Sequence, residues 1–190
     1  MPTEPRQQWP HRREPGGQAL AERDAGDRVV AILAAASLFL ASIELAIPKP
    51  VPFLRLGLAN LPILIALRVL RPRQLLLLLG LKILGQGMVQ GTLFSYIILF
   101  SAASSVTSVA AMWLVDRASR GLMSLVGVAV VGALASNLAQ LGVARWLVFG
   151  ESAWLIAAPF VAVGTASAVL LGLFAERFVT RSQWVRTVTR

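Results

Sequence analysis

The chain contains no cysteine and one histidine, His11. The first absence excludes disulfides, thiolate metal sites and cysteine nucleophiles, and leaves the redox compartment unreadable. The second argues against a histidine-based metal centre or catalytic triad, because His11 lies in a polar N-terminal stretch. Aspartate is scarce as well. Asp24, Asp27 and Asp116 are the only ones and do not cluster, whereas holding magnesium against a diphosphate requires grouped oxygen ligands. No Walker sequence is present, which excludes ATP hydrolysis by that route. Charge is sparse overall, at 14% of residues, against about 25% in a soluble domain.

What is abundant is apolar surface: 56% of the 190 residues are hydrophobic, and the mean hydropathy is +0.70. The net charge of +9 would suggest a nucleic-acid partner in a soluble protein. Here the arginines separate long apolar runs and form no patch interleaved with aromatics, so no nucleic-acid partner is expected. A hydrocarbon core of ~30 Å takes about 20 apolar residues as helix. Six stretches approach this: Val29 to Ile47, Leu56 to Leu70, Gln74 to about Gln90, Leu93 to Val115, Leu122 to Phe149, and Ala153 to about Phe174. The expected fold is therefore all-α, a polytopic membrane bundle of about six transmembrane helices. A tight turn near Gly91 would join the third and fourth, and Pro159 would kink the sixth or delay its start.

Residues 1–28 carry too few apolar groups to offset the entropy of ordering, and read as a disordered tail. The run that follows is longer than a signal-peptide core, so no cleavage is expected. Residues 29–176 form the membrane domain, and 177–190 form a basic C-terminal tail. Lys and Arg in the connections give the orientation. Fourteen fall on one side, in the two tails and the second and fourth connections, against Lys49, Arg55 and Arg145 on the other. An even number of spans, with both termini cytoplasmic in the cell inner membrane, fits that asymmetry.

Polar groups inside the runs are the candidate site, because ionisable side chains at membrane depth cost several kcal/mol and usually face a bundle interior. Lys82 lies nine residues beyond Arg73, or ~13 Å at helical rise, too deep for easy snorkelling. Gln86 and Gln90 follow at four-residue steps on the same face. Glu44 stands near the outer end of the first span, Asn60 on the second, and Ser136, Asn137 and Gln140 on the fifth. These groups either fix helix register as a buried pair with interhelical amides, or line a ligand cavity in the outer half. The expected substrate-binding set is Glu44, Asn60, Lys82, Gln86, Gln90, Asn137 and Gln140. Small residues four apart on the first span, Ala31 with Ala35 and Ser37 with Ala41, suit close helix approach. They serve either internal packing or docking of a partner membrane protein.

The first connection is the most distinctive part of the chain. Glu44, then Ile47-Pro48-Lys49-Pro50-Val51-Pro52, then Leu56-Gly57-Leu58-Ala59-Asn60 resembles the membrane family described as heptaprenyl diphosphate synthase component I, also called the Gx transporter family. Leu81-Lys82-Ile83-Leu84-Gly85 with Gly91, the segment Gly132-Ala133 through Asn137 and Gln140, and Pro159 with Gly172 extend the resemblance over about residues 29 to 176. Two positions depart from the pattern. Lys82 stands where the family usually has arginine, and Ser136 where histidine is expected, which removes support for a proton-linked role there.

The resemblance implies a fold like the substrate-binding S components of energy-coupling-factor transporters. It also implies an outward pocket beneath the proline-rich connection, and a first helix that meets a membrane coupling subunit driven by cytoplasmic ATPases. The expected role is thus a non-enzymatic capture subunit for a small nutrient such as a vitamin or cofactor precursor, with no cofactor of its own. The alternatives are a noncatalytic membrane component of heptaprenyl diphosphate synthesis or of a quinone or electron-transfer assembly, and an ion-coupled carrier acting alone.

Overall fold

In the computed structural model, residues 15–46 and 57–182 are described. Among them the structure is entirely helical: α1 (Pro15–Ala46), α2 (Leu61–Val69), α3 (Pro72–Val89), α4 (Ile97–Ala118), α5 (Leu125–Ala144) and α6 (Ala157–Arg181). The connection carrying Pro48, Lys49, Pro50, Pro52 and Arg55 lies outside the described residues. α1 begins at Pro15, well ahead of the apolar run, so residues 15–28 are helical where composition leads to the expectation of a tail. The buried positions Val30, Leu33, Ala34, Ser37, Ala41 and Glu44 recur at helical spacing and form its inward stripe.

α1 packs on α3, α3 on α4, α4 on α5, and α5 on α6, while α2 touches all five. The reason is legible in α2 itself. Its residues Pro62 to Ala66 are all buried, as expected of a helix that is apolar all round. Nine residues give it a length of ~14 Å, too short to cross a bilayer, so it serves as a central peg. It begins where Gly57, at φ 81°, turns the chain into a short 3₁₀ turn, Leu58–Asn60. It ends three residues before Pro72, with Leu70 and Arg71 extended, the latter as a residue preceding proline prefers.

By length and composition, four segments among the described residues can cross a membrane: Gly26–Ala46, Ile97–Ala118, Leu125–Leu147 and Ala157–Arg181. The six helices expected from the sequence are present, but α2 is a short buried helix and α3 falls outside these four. The turn at Gly91 is as expected. Gly91 is left-handed at φ 64°, and the Thr92 N–H donates to the Gly87 carbonyl at 2.9 Å, closing α3 with a Schellman motif. Pro159 sits in the first turn of α6, where a missing N–H costs nothing, so it marks the start of that helix and does not kink it. α5 and α6 approach closely because Gly172 lies against the Val126 backbone, where an added Cβ would come within 2.6 Å of its Cα.

Contacts also define two ends. Gly26 of α1 meets Gln74 of α3, and Arg68 of α2 reaches the α4–α5 turn. Val179 of α6 packs against the same buried apolar cluster as Leu67 and Val69 of α2. Arg28, Arg71, Arg73, Arg117, Arg120, Arg177 and Arg181 therefore gather at one end, all exposed. Outward faces are apolar along the helices between the ends, with Phe39, Leu76, Leu84, Leu138 and Leu170 among the exposed side chains. Lipid is the solvent that suits such a surface.

Candidate functional site

The inward stripes change character along the bundle. On α1 they run from Val30, Leu33 and Ala34 to Ser37 and Glu44, and on α3 from Leu75, Leu78 and Leu79 to Lys82 and Gln86. On α5 Leu125, Val128 and Ala129 give way to Ser136, Asn137 and Gln140; on the antiparallel α4, Met112 and Val109 give way to Ser108, Ser105, Ser104 and Ser101. The four polar segments meet around a cavity of about 60 Å³. Its floor is apolar, made by Leu64, Met112 and Ala129, and Gly164 and Ala168 of α6 form one wall. That volume holds about four to six water molecules.

Each predicted group arrives by a local route. Glu44, in the last turn of α1, accepts a hydrogen bond from the Leu58 N–H at 3.0 Å, tying the end of α1 to the 3₁₀ turn ahead of α2. The Lys82 ammonium donates to Asn60 Oδ1 and, at 3.1 Å, to Ser105 Oγ, so one buried cation joins the 3₁₀ turn ahead of α2 to α3 and α4. Gln140 Nε2 donates to Ser136 Oγ at 3.1 Å, one turn apart on α5. Gly164 faces Asn137, and a Cβ there would collide with its amide as placed.

Among the described residues, several atoms lining this cavity have no hydrogen-bond partner: Gln86 Oε1, Gln140 Oε1, Asn137 Nδ2 and Ser108 Oγ. A buried polar group left unmade costs about 1–3 kcal/mol. Four in one cavity are therefore a large expense for a purely structural network, and they present two acceptors, a donor and a hydroxyl to whatever fills the space. Among the described residues, no group of three or more His, Cys, Asp or Glu side chains is placed to hold a metal.

Six of the seven predicted substrate-binding residues, Glu44, Asn60, Lys82, Gln86, Asn137 and Gln140, line the cavity. Gln90 does not. It is the C-terminal cap of α3, and the 40° that each four-residue step adds has carried it off the Lys82 stripe. The docking set divides likewise. Ala31 and Ala35 are exposed, but Ser37 and Ala41 are fully buried on the inward stripe of α1, where they pack inside the bundle. The sequence reading missed the α4 serines. Ser101, Ser104, Ser105 and Ser108 recur at three-and-four spacing, a polar face that periodicity alone would have revealed.

A second polar cluster lies at the basic end. Arg68 pairs with Asp116 at 3.0 Å and donates to the Gly121 and Met123 carbonyls at 3.0 and 2.8 Å. Arg68 is thus a clamp that fixes the peg α2 to the α4–α5 turn.

Apolar outward faces, an inward polar cavity and a basic end together define a polytopic helical membrane protein built around a buried polar site. The chain belongs to the family described as heptaprenyl diphosphate synthase component I, whose model matches residues 33–178. No curated protein and no solved structure matches it.

Proposed function

We propose that the protein is a membrane subunit that captures a small polar solute, in the manner of the S components of energy-coupling-factor transporters. The carrying observation is the cavity lined by Lys82, Glu44 and four polar atoms that find no partner among the described residues, in a bundle whose outward faces are apolar. A nutrient with both donors and acceptors would satisfy those atoms, with Lys82 and Glu44 offering charges of both signs. A site for a vitamin-sized molecule occupies ~300 Å³ or more, so such a solute enters only when the helices around the cavity separate. The orientation that goes with this reading puts the basic end, and both termini, in the cytoplasm of the cell inner membrane. A membrane coupling subunit and cytoplasmic ATPases would supply the energy, and Ala31 and Ala35 remain the candidate contact on α1. The protein itself performs no chemistry in this scheme.

The test is mass spectrometry of small molecules retained by the detergent-purified protein. Lys82→Ala and Asn60→Ala are expected to fold and to lose the retained solute; folded variants that keep every ligand of the parent refute the assignment. The family's description favours a second reading, a noncatalytic membrane component of heptaprenyl diphosphate synthesis. Co-purification of a soluble subunit with aspartate-rich motifs, in place of an ATPase, would select it.

A further inference from the structure

At the basic end, the α2–α3 corner and the α4–α5 turn leave a second hollow of about 650 Å³, rimmed by Asp116, Arg117 and Arg120. Pro72, Leu75 and Trp113 line both this hollow and an apolar groove of about 330 Å³ between α3 and α4. The groove continues along α4 past Ala110 and Val106, and past Leu79 on α3. A charged mouth therefore opens onto an apolar channel in the flank of the bundle.

The sign of the mouth follows from its pairing. Arg68 neutralises Asp116 at 3.0 Å, while among the described residues neither Arg117 nor Arg120 is in an ion pair, and both are exposed. Arg120 is held there at a conformational cost. Its φ is 51°, and it occupies the left-handed position of the Schellman motif closing α4, in which the Gly121 N–H donates to the Asp116 carbonyl at 3.0 Å. Glycine is the usual residue at that position. Trp113, 40% exposed between mouth and groove, is the residue type that settles at the headgroup level of a bilayer.

We propose that this composite site holds one anionic phospholipid, with its phosphate against Arg117 and Arg120 and an acyl chain along the α3–α4 groove. Both halves are needed for that occupant. A free phosphate would leave the groove empty, and a zwitterionic lipid would gain less from the net positive mouth because its own cation offsets its phosphate. The site is separate from the polar cavity and stands whether or not that cavity takes a solute.

Native mass spectrometry of the full-length protein in detergent, with phosphatidylglycerol or phosphatidylcholine added at equal concentration, reads the site directly. The parent is expected to retain one phosphatidylglycerol in preference to phosphatidylcholine. Each of Arg117→Gln and Arg120→Gln should lower that retention roughly fivefold, and Ala110→Trp, which fills the groove, should lower retention of both lipids. Arg120→Gly removes the charge while suiting the left-handed turn, so it should lose lipid while its melting temperature rises, separating lipid loss from unfolding. The proposal is overturned if the preference survives Arg117→Gln with Arg120→Gln. Equal loss from Arg177→Gln with Arg181→Gln, at the same end but off the site, also overturns it. So does displacement of the lipid by inorganic pyrophosphate, which would mean a simple anion site, or by equimolar farnesyl diphosphate, which would mean a different amphiphile.

Discussion

The two halves of the bundle are made from the same helices and obey opposite rules. Toward the basic end, Val30, Leu33, Ile63, Leu78 and Val109 close into an apolar core, and the Arg68–Asp116 pair lies at its rim. Toward the other end, the same stripes carry Ser37, Glu44, Lys82, Gln86, Ser108 and Asn137, with unpartnered atoms left around a cavity. One half spends its interior on packing, and the other accepts polar burial that packing alone would not select. The difference separates the part of the fold that holds the helices in register from the part that is available to a ligand.

That contrast is broken most severely by placing a charge in the dry half. Leu78→Lys puts an ammonium at a fully buried position within an apolar cluster, at a cost of several kcal/mol. Thermal unfolding in detergent is expected to show loss of folded protein. Next is Arg68→Gln, which abolishes the ion pair with Asp116 and weakens the hold on the Gly121 and Met123 carbonyls. Charge-assisted bonds of this kind are worth about 1.5–3 kcal/mol each, so a clear drop in melting temperature should follow with solute retention intact below it.

Lys82→Ala should cost ~1–3 kcal/mol by leaving Asn60 and Ser105 short of a donor. Unlike Arg68→Gln, it should abolish solute retention in the folded fraction. The smallest stability effect is expected from Gln86→Leu, because it deletes an unpartnered acceptor. Its melting temperature should match or exceed that of the parent while retained solute falls. A large destabilisation there would mean that Gln86 is structural and that the two halves do not differ as described.

Much of this division was legible in the sequence. Long apolar runs and arginine-rich connections identified a helical membrane bundle, and Lys82, with the amides of α3 and α5, marked the polar site. Two features were hidden for physical reasons. The apolar run at Leu56 to Leu70 reads as a short span, and only tertiary contacts show that α2 is a peg buried on every side. Small residues on α1 suit an inner and an outer face equally, so spacing alone could not show that Ser37 and Ala41 turn inward while Ala31 and Ala35 turn out. Gln90 illustrates a third limit, since a four-residue repeat drifts around a helix and its third member need not share the site of the first. The α4 serines were readable and were overlooked because a hydroxyl attracts less notice than a charge.

The absence of cysteine makes the central claim directly measurable, because any introduced thiol is the only one in the protein. Single variants Ser108→Cys and Ser136→Cys probe the polar half, and Val128→Cys and Leu78→Cys probe the dry half. The four would be treated in membranes with a small water-soluble methanethiosulfonate. The serine sites should react readily and become protected when the retained solute is present, while the other two stay unmodified. Equal reactivity in both halves, or no reaction in either, would contradict a wet, ligand-accessible chamber above a dry core.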